Sequence, residues 1–132
     1  MSSGSLERVC LAVDDEPAVR TYIKSILDSE QFRTLEAEGA ADALRIVHRL
    51  GGAVDLIVSD IKMPGDMDGI DLAHSVRLAF PSIPIILMSG QAEVRTDSRP
   101  LAFEFLQKPF RPEVLLEAIQ RLTAMQSHSS RI

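Results

Sequence analysis

Short apolar runs alternate with segments of helical periodicity along most of the chain, and this alternation constrains the fold more than any other feature. Five runs have the length of strands: 9–13, 32–37, 55–60, 83–88 and 102–107. Apolar residues at helical spacing cover 17–30, 39–50 and 68–80, and Pro112 opens a last helix. Repeated strand–helix units predict an α/β fold, in which a five-stranded parallel sheet has helices on both faces.

The composition of the five runs indicates their order in the sheet. Runs one, three and four are almost wholly apolar, as is typical of strands buried on both faces. Runs two and five contain charged residues, including Arg33 and Glu104, as edge strands do. With right-handed crossovers the simplest order is 2-1-3-4-5, that of a flavodoxin-like, doubly wound sheet.

Length and composition restrict the class of protein. A chain of 132 residues suits one domain, which we predict to cover 7–125. Residues 1–6 are predicted to be a disordered segment or tag remnant, and 126–132 a flexible tail. The net charge of −5 disfavours nucleic-acid binding, and the single cysteine excludes a disulfide framework. Since no run approaches the ~20 apolar residues of a membrane helix, we expect a cytoplasmic protein that binds neither nucleic acid nor membrane.

Charged and polar residues follow the strands of the predicted sheet. Asp14 and Asp15 follow the first strand, and Asp60 ends the third. Ser89 follows the fourth strand and Lys108 the fifth. Ligands of an open parallel sheet bind beyond the carboxyl ends of its strands, where the strand order reverses. We therefore expect these side chains to converge at one rim, beside the first and third strands.

The predicted cluster carries an excess of negative charge. Neighbouring carboxylates raise each other's pKa, so Asp14, Asp15 and Asp60 need a partner, and Lys108 supplies one positive charge. The remaining deficit suits Mg²⁺, which takes one or two carboxylates, a carbonyl and several waters, leaving room for a phosphate oxygen. Since no histidine or thiolate is placed to select zinc, Mg²⁺ is the predicted cofactor.

A carboxylate beside Mg²⁺ can attack phosphorus and become an aspartyl phosphate. The cation, Lys108, the Ser89 hydroxyl and loop N–H groups would hold the phosphoryl oxygens. Neither GxxxxGK[ST] nor GxGxxG occurs in the chain, so no nucleotide cradle is predicted. The sequence therefore favours acceptance of a phosphoryl group without ATP binding.

Five short motifs stand in order at the predicted strand ends: Val13–Glu16, Asp60–Pro64, Asp68–Gly69, Met88–Gly90 and Lys108–Phe110. Together they resemble the response regulator receiver domain of two-component signalling, over residues 8–125. The resemblance implies a stand-alone, phosphorylation-controlled signalling module rather than an enzyme with a separate substrate. Its only catalysis would be its own Mg²⁺-dependent phosphorylation and dephosphorylation.

The resemblance implies a role for each residue of the rim. Asp60 is the implied phospho-acceptor, and Lys108 is implied to pair with the phosphoryl group. Mg²⁺ is implied to bind Asp15, Asp60 and the backbone carbonyl of Lys62 directly, and Asp14 through water.

Other implied roles concern switching and lifetime. Ser89 would sense the phosphoryl group, while the ring of Phe105, at the aromatic switch position, would turn inward. Lys62 and Gln91 fall at positions that influence phosphoryl lifetime. The Lys108–Pro109 peptide bond is expected to be cis.

Three departures from the family pattern affect these expectations. Gly65–Asp66 lengthens the loop beside the implied metal by one residue. The segment 91–99, closed by Pro100, predicts a short or poorly formed fourth helix. Phe105 lacks the hydroxyl of the tyrosine that many members carry, so its switching would depend on packing.

The implied partners are a histidine kinase or histidine phosphotransfer protein upstream and a protein target downstream, with a homodimer left open. Alternatives are an aspartyl-nucleophile phosphatase, a flavin-binding electron carrier of the same topology, and a receiver fold that serves only as a docking surface. Taken singly, Asp14 and Asp15 also fit a simple helix cap, and Asp60 an ordinary turn residue.

Overall fold

A computed structural model of the chain describes residues 7–90 and 103–130, with side chains up to Thr123. Its elements are β1 (Arg8–Val13), α1 (Pro17–Asp28), β2 (Phe32–Ala37), α2 (Ala40–Arg49), β3 (Leu56–Asp60), α3 (Gly69–Ala79), β4 (Ile85–Ser89), β5 (Phe103–Gln107) and α4 (Pro112–Ser130). All strand pairings are parallel, and the order is β2-β1-β3-β4-β5. The predicted strand order is confirmed.

The sheet separates two hydrophobic layers. One layer packs α1 and α4 against the sheet, through residues such as Ile23 and Leu115. The other packs α2 and α3 against the opposite face, through residues such as Val47 and Leu72. Successive residues of β1 contribute to opposite layers, because side chains alternate across a strand. Helices therefore cover both faces, as the alternating pattern predicts.

Burial is complete in the central strands and extends to the polar residues at their ends. Every residue of β3 and β4 is buried, whereas β2 and β5 each keep exposed and half-buried positions. Ser59, Asp60 and Ser89 are among the buried polar residues. Polar groups removed from water must be matched by protein groups or ions. The partners of these buried strand ends are therefore the part of the structure that bears on function.

Most elements end within two residues of their predicted limits, and local backbone chemistry explains the differences. β4 begins at Ile85 because Pro84 has no N–H to donate to the ladder, although its carbonyl accepts from the Ile57 N–H (3.0 Å). α1 ends at Asp28, and Gln31 then takes a positive φ of 64° that turns the chain into β2.

The last helix is longer than expected. α4 continues to Ser130, because no glycine or proline follows Pro112 within it to interrupt the backbone hydrogen bonding. Residues 126–130 therefore belong to this helix, while the predicted flexibility of 126–132 and the limits of the domain stay predictions. The predictions for 1–6 and for the fourth helix at 91–99 lie outside the described residues.

Gly69 allows the start of α3 to approach the end of β3 closely. Its N–H donates to the carbonyl of Ile61 (2.8 Å), and a Cβ added at Gly69 would overlap the carbonyl oxygen of Asp60. A capping box, in which Asp68 and Asp71 each accept from the other's backbone N–H, fixes the first turn of the helix. The position of Asp60 therefore depends on the missing side chain at Gly69.

We expect Gly69→Ala to destabilise the protein by about 2 kcal/mol, the usual size of an overpacking penalty. The overlapping atom belongs to the backbone of a central strand, so it has little freedom to move. Urea-induced unfolding followed by circular dichroism measures the change in the free energy of unfolding.

Gly39→Ala is the matched control, since a Cβ added there meets nothing within 4 Å. Gly39 is the N-cap of α2 with an extended backbone, so alanine should cost less than about 1 kcal/mol there. Equal losses for the two variants would contradict the proposed overlap at Gly69.

Candidate functional site

Asp14 lies just beyond β1 and is fully buried, and each of its four polar atoms has a protein partner. Its N–H donates to the Ala37 carbonyl (3.1 Å), and its own carbonyl accepts from Arg20 Nη1 (2.7 Å). Oδ1 accepts from the Glu16 N–H (2.9 Å), and Oδ2 accepts from Lys108 Nζ (3.2 Å). Two contacts thus hold the backbone of Asp14 and two hold its carboxylate.

The simple capping interpretation of Asp14 and Asp15 is wrong. The N-cap of α1 is Glu16, and it makes no side-chain cap hydrogen bond. The Asp14 carboxylate instead serves the turn before the helix and the ammonium of Lys108.

Asp60 ends β3, and the central position of this strand leaves the residue 7% exposed. Lys108 Nζ lies 3.4 Å from Oδ1. Burial raises the pKa of Asp60 above its usual value and the negative charge of Asp14 raises it further, while Lys108 opposes both. The ionised form of Asp60 is therefore less favourable here than in water.

Lys108 follows β5, and its ammonium pairs with Asp14 and Asp60. Its backbone N–H donates to the carbonyl of Ser89 (2.7 Å), which aligns the ends of β4 and β5. The Lys108–Pro109 peptide bond is cis, as predicted. Burial alone would lower the pKa of Lys108, but the two carboxylates and their hydrogen bonds raise it overall, so the side chain stays an ammonium.

The three acids converge as the strand order predicts. Asp14, Asp15 and Asp60 each offer a carboxylate oxygen, and these oxygens lie within 4.8 Å of one another. Asp15 is exposed, whereas the other two are buried. Lys108 balances only part of this charge. A set of oxygen donors with one member open to water fits a hard cation such as Mg²⁺, which keeps several waters when bound.

The other predicted site residues occupy different surroundings. Ser89 is buried at the end of β4 and pairs in register with Gln107 of β5. Phe105 is half-buried and packs against the layer shared with α2 and α3. Lys62 is exposed in the loop after β3, and Gln91 lies outside the described residues. The roles assigned to these four residues stay predictions.

Two residues beside the cluster, Arg20 and Glu36, were not predicted from the sequence. Arg20 Nε of α1 lies 2.7 Å from Glu36 Oε1 of β2, and the same guanidinium donates to the Asp14 carbonyl. One signal was available, because the predicted strand order places the end of β2 beside β1, where Glu36 pairs in register with Ala12. Nothing in the sequence indicated the hydrogen bond from Arg20 to the carbonyl of Asp14.

A groove of about 610 Å³ adjoins the cluster, between α1 and the loop after β5. Val19, Tyr22, Pro109 and Phe110 line it, with Lys108 beside them. The Tyr22 hydroxyl donates to the Phe110 carbonyl (2.7 Å) and so ties this loop to α1. An apolar surface therefore lies next to the charged residues.

Comparison with known proteins gives a consistent result. The family model described as the response regulator receiver domain matches residues 10–120. "Sensor kinase CckA" of Brucella abortus is 38% identical over 119 residues, which are 88% of this chain and 12% of that protein. The chain thus spans a small part of this relative.

Solved structures resemble the fold closely. A response regulator receiver protein from Sinorhizobium medicae has a TM-score of 0.84 and 27% identity, over 92% of this chain and 98% of that one. The response regulator TrrA from Thermotoga maritima, solved in complex with Mg(2+)-BeF, has a TM-score of 0.77 and 32% identity, over 87% and 98%.

We expect Asp60→Asn to stabilise the metal-free protein at neutral pH by about 1 kcal/mol, a typical size for one substitution. A raised pKa means that the folded state binds a proton at Asp60 more tightly than the unfolded state. The wild type therefore loses stability as pH rises above the ordinary value of 3.8, and asparagine avoids this loss. Urea unfolding with EDTA, at neutral pH and near that value, measures the difference.

Asp66→Asn removes the same charge from the exposed loop after β3 and serves as the control. Its effect on the free energy of unfolding should be small, because the side chain is exposed. A metal-free Asp60→Asn protein that is less stable than wild type at neutral pH would contradict the electrostatic description of the cluster.

Proposed function

We propose that this chain, which belongs to the response regulator receiver domain family, takes up a phosphoryl group on Asp60 and thereby switches a protein-interaction surface. The function of this family is that of a receiver in signalling, and the roles of the individual residues are our proposal. The observation that supports them best is that the Asp60 carboxylate lies close both to the ammonium of Lys108 and to the carboxylates of Asp14 and Asp15.

The proposed reaction is an in-line transfer from a phosphohistidine. An oxygen of the Asp60 carboxylate forms a bond to phosphorus while the phosphorus–nitrogen bond breaks, and the imidazole departs with the electron pair. Lys108 pairs with the Asp60 carboxylate before the reaction, and after it the ammonium would also lie beside an oxygen of the new phosphoryl group. Its fixed positive charge stabilises the charge that develops in the transition state.

Asp15, Asp60 and the Lys62 carbonyl would hold Mg²⁺, with Asp14 acting through water. When bound, the cation supplies positive charge to the phosphoryl oxygens and to the acids that Lys108 leaves unbalanced. Both carboxylate oxygens of Asp14 already accept hydrogen bonds from protein groups. This supports an indirect role for Asp14.

The proposed switch uses neighbouring positions of β4 and β5. Ser89 ends β4, and Phe105 lies on the adjacent strand, opposite Leu87. Attraction of the Ser89 hydroxyl toward a phosphoryl oxygen would change the packing beside Phe105, whose half-buried ring then turns inward. Since phenylalanine has no hydroxyl, packing alone drives this movement.

The proposed upstream partner is a histidine kinase or a histidine phosphotransfer protein, and the downstream partner is a protein target. The groove lined by Val19, Tyr22 and Phe110 supports a protein donor, because it offers apolar contact next to the acceptor. The relative from Brucella abortus is named a sensor kinase, and a receiver domain from the hybrid histidine kinase CckA is 31% identical with a TM-score of 0.73.

The proposed activity is confined to self-phosphorylation and self-dephosphorylation, with Lys62 and Gln91 setting the lifetime of the phosphoryl group. We propose a cytoplasmic location. Among the described residues, no helix has the length and hydropathy required to cross a membrane.

We expect acetyl phosphate with Mg²⁺ to add the mass of one phosphoryl group to the wild type and none to Asp60→Asn. Beryllofluoride with Mg²⁺, which mimics the aspartyl phosphate, should shift the amide resonances of Asp60, Ser89 and Phe105. Intact-protein mass spectrometry and two-dimensional NMR measure the two responses.

Asp66→Asn, which changes the same charge outside the cluster, should respond like the wild type. A wild-type chain that gains no mass and shows no beryllofluoride shift would favour the docking-surface alternative. Steady release of phosphate from unrelated small phosphoesters would favour the phosphatase alternative.

A further inference from the structure

We propose that Arg20 is a positioning residue that holds the Asp14 carboxylate in the orientation that cation binding needs. This inference rests on the proposed function, because it assigns a role toward the same acid cluster. Arg20 itself acts through the backbone of Asp14.

The guanidinium of Arg20 makes two hydrogen bonds at once. Its Nη1 donates to the carbonyl oxygen of Asp14 (2.7 Å), and its Nε donates to Glu36 Oε1 (2.7 Å). The Arg20 side chain is 12% exposed, so this geometry is held largely out of water. A rigid, planar group with several donors suits such a double contact, which the single ammonium of a lysine does not reproduce.

The carbonyl of Asp14 needs this donor because it lies beyond the sheet. The pairings of β1 with β2 and with β3 both end at Val13. Asp14 is nevertheless fully buried, and a buried carbonyl without a hydrogen-bond partner destabilises the folded state. Arg20 therefore replaces the ladder hydrogen bond that the end of β1 lacks.

The orientation of this peptide group controls the carboxylate that follows from it. Rotation of the Asp14 backbone would move Oδ1 away from the Glu16 N–H and Oδ2 away from Lys108. Glu36 in turn fixes Arg20 from the neighbouring strand. A chain of contacts thus runs from the edge strand β2, through α1, to the acid cluster.

A second arginine offers a matched comparison. Arg121 of α4 also joins a helix to an edge strand, through two hydrogen bonds to Glu104 of β5. Its side chain is 54% exposed, and both of these bonds go to a carboxylate rather than to the backbone of the cluster. Substitution of Arg121 removes a similar ion pair without touching Asp14.

The test is the Mg²⁺ affinity of Arg20→Gln, measured by calorimetry or NMR titration. We expect a loss of roughly tenfold, the lower end of the range for residues that support a metal site from outside its direct ligands. Removing a positive charge beside an acid cluster would by itself strengthen cation binding. A weaker affinity is therefore the result that only lost positioning produces, and unchanged or tighter binding would overturn the proposal.

Arg121→Gln should bind Mg²⁺ with an affinity within about twofold of the wild type, the change expected for an exposed pair. An equal loss in both variants would also overturn the role of Arg20. Should Arg20→Gln fail to fold, Arg20→Lys replaces it: a smaller loss supports the proposal, and wild-type affinity contradicts it.

A metal-free measurement separates this inference from the proposed function. With EDTA present, Arg20→Gln should speed hydrogen exchange at the Glu16 amide, which donates to Asp14 Oδ1, and Arg121→Gln should not. Unchanged exchange at Glu16 would overturn the positioning role. Failure of the wild type to bind Mg²⁺ would instead count against the proposed function, with the exchange result still deciding the role of Arg20.

Discussion

One ammonium group between two buried carboxylates is the interaction on which this molecule's chemistry depends. Lys108 Nζ lies 3.2 Å from Asp14 and 3.4 Å from Asp60. Without it, two acids at the ends of adjacent buried strands would face each other with little solvent between them. Burial of an unpaired charge is among the largest penalties in folding. The two buried carboxylates therefore need the ammonium of Lys108, which the chain brings to this rim at the end of β5.

Lys108 compensates the negative charge of the cluster only in part. The uncompensated charge is what would let the cluster respond to a cation. Lys108 balances part of the charge of three acids, and the pKa of Asp60 remains raised. A cation that binds there, and not to the unfolded chain, would stabilise the folded state by an amount that grows with the logarithm of the cation concentration once the site is filled. Conversely, a phosphoryl group on Asp60 would give Lys108 a new partner. Under the proposed function, the same charge excess would link cation binding, phosphoryl acceptance and stability.

Much of this arrangement was predictable, because it follows from features that the sequence carries locally. The apolar composition of β3 and β4 reflects burial on both faces, and the charges of β2 and β5 reflect their edge positions. Once that order is known, residues at strand ends must share a rim. Asp14, Asp15, Asp60 and Lys108 were found in this way, since each directly follows or ends a strand.

Contacts directed at the backbone were not predictable by the same reasoning. Arg20 donates to a carbonyl, and every residue has one, so no pattern of side chains identifies the acceptor. Gly69 likewise matters because it has no side chain, and a Cβ there would overlap the carbonyl oxygen of Asp60. Both contacts depend on how closely a helix approaches a strand end, which is decided by packing. The residues of the candidate site can therefore be located from the sequence, while the residues that position them become visible only when the backbone is placed.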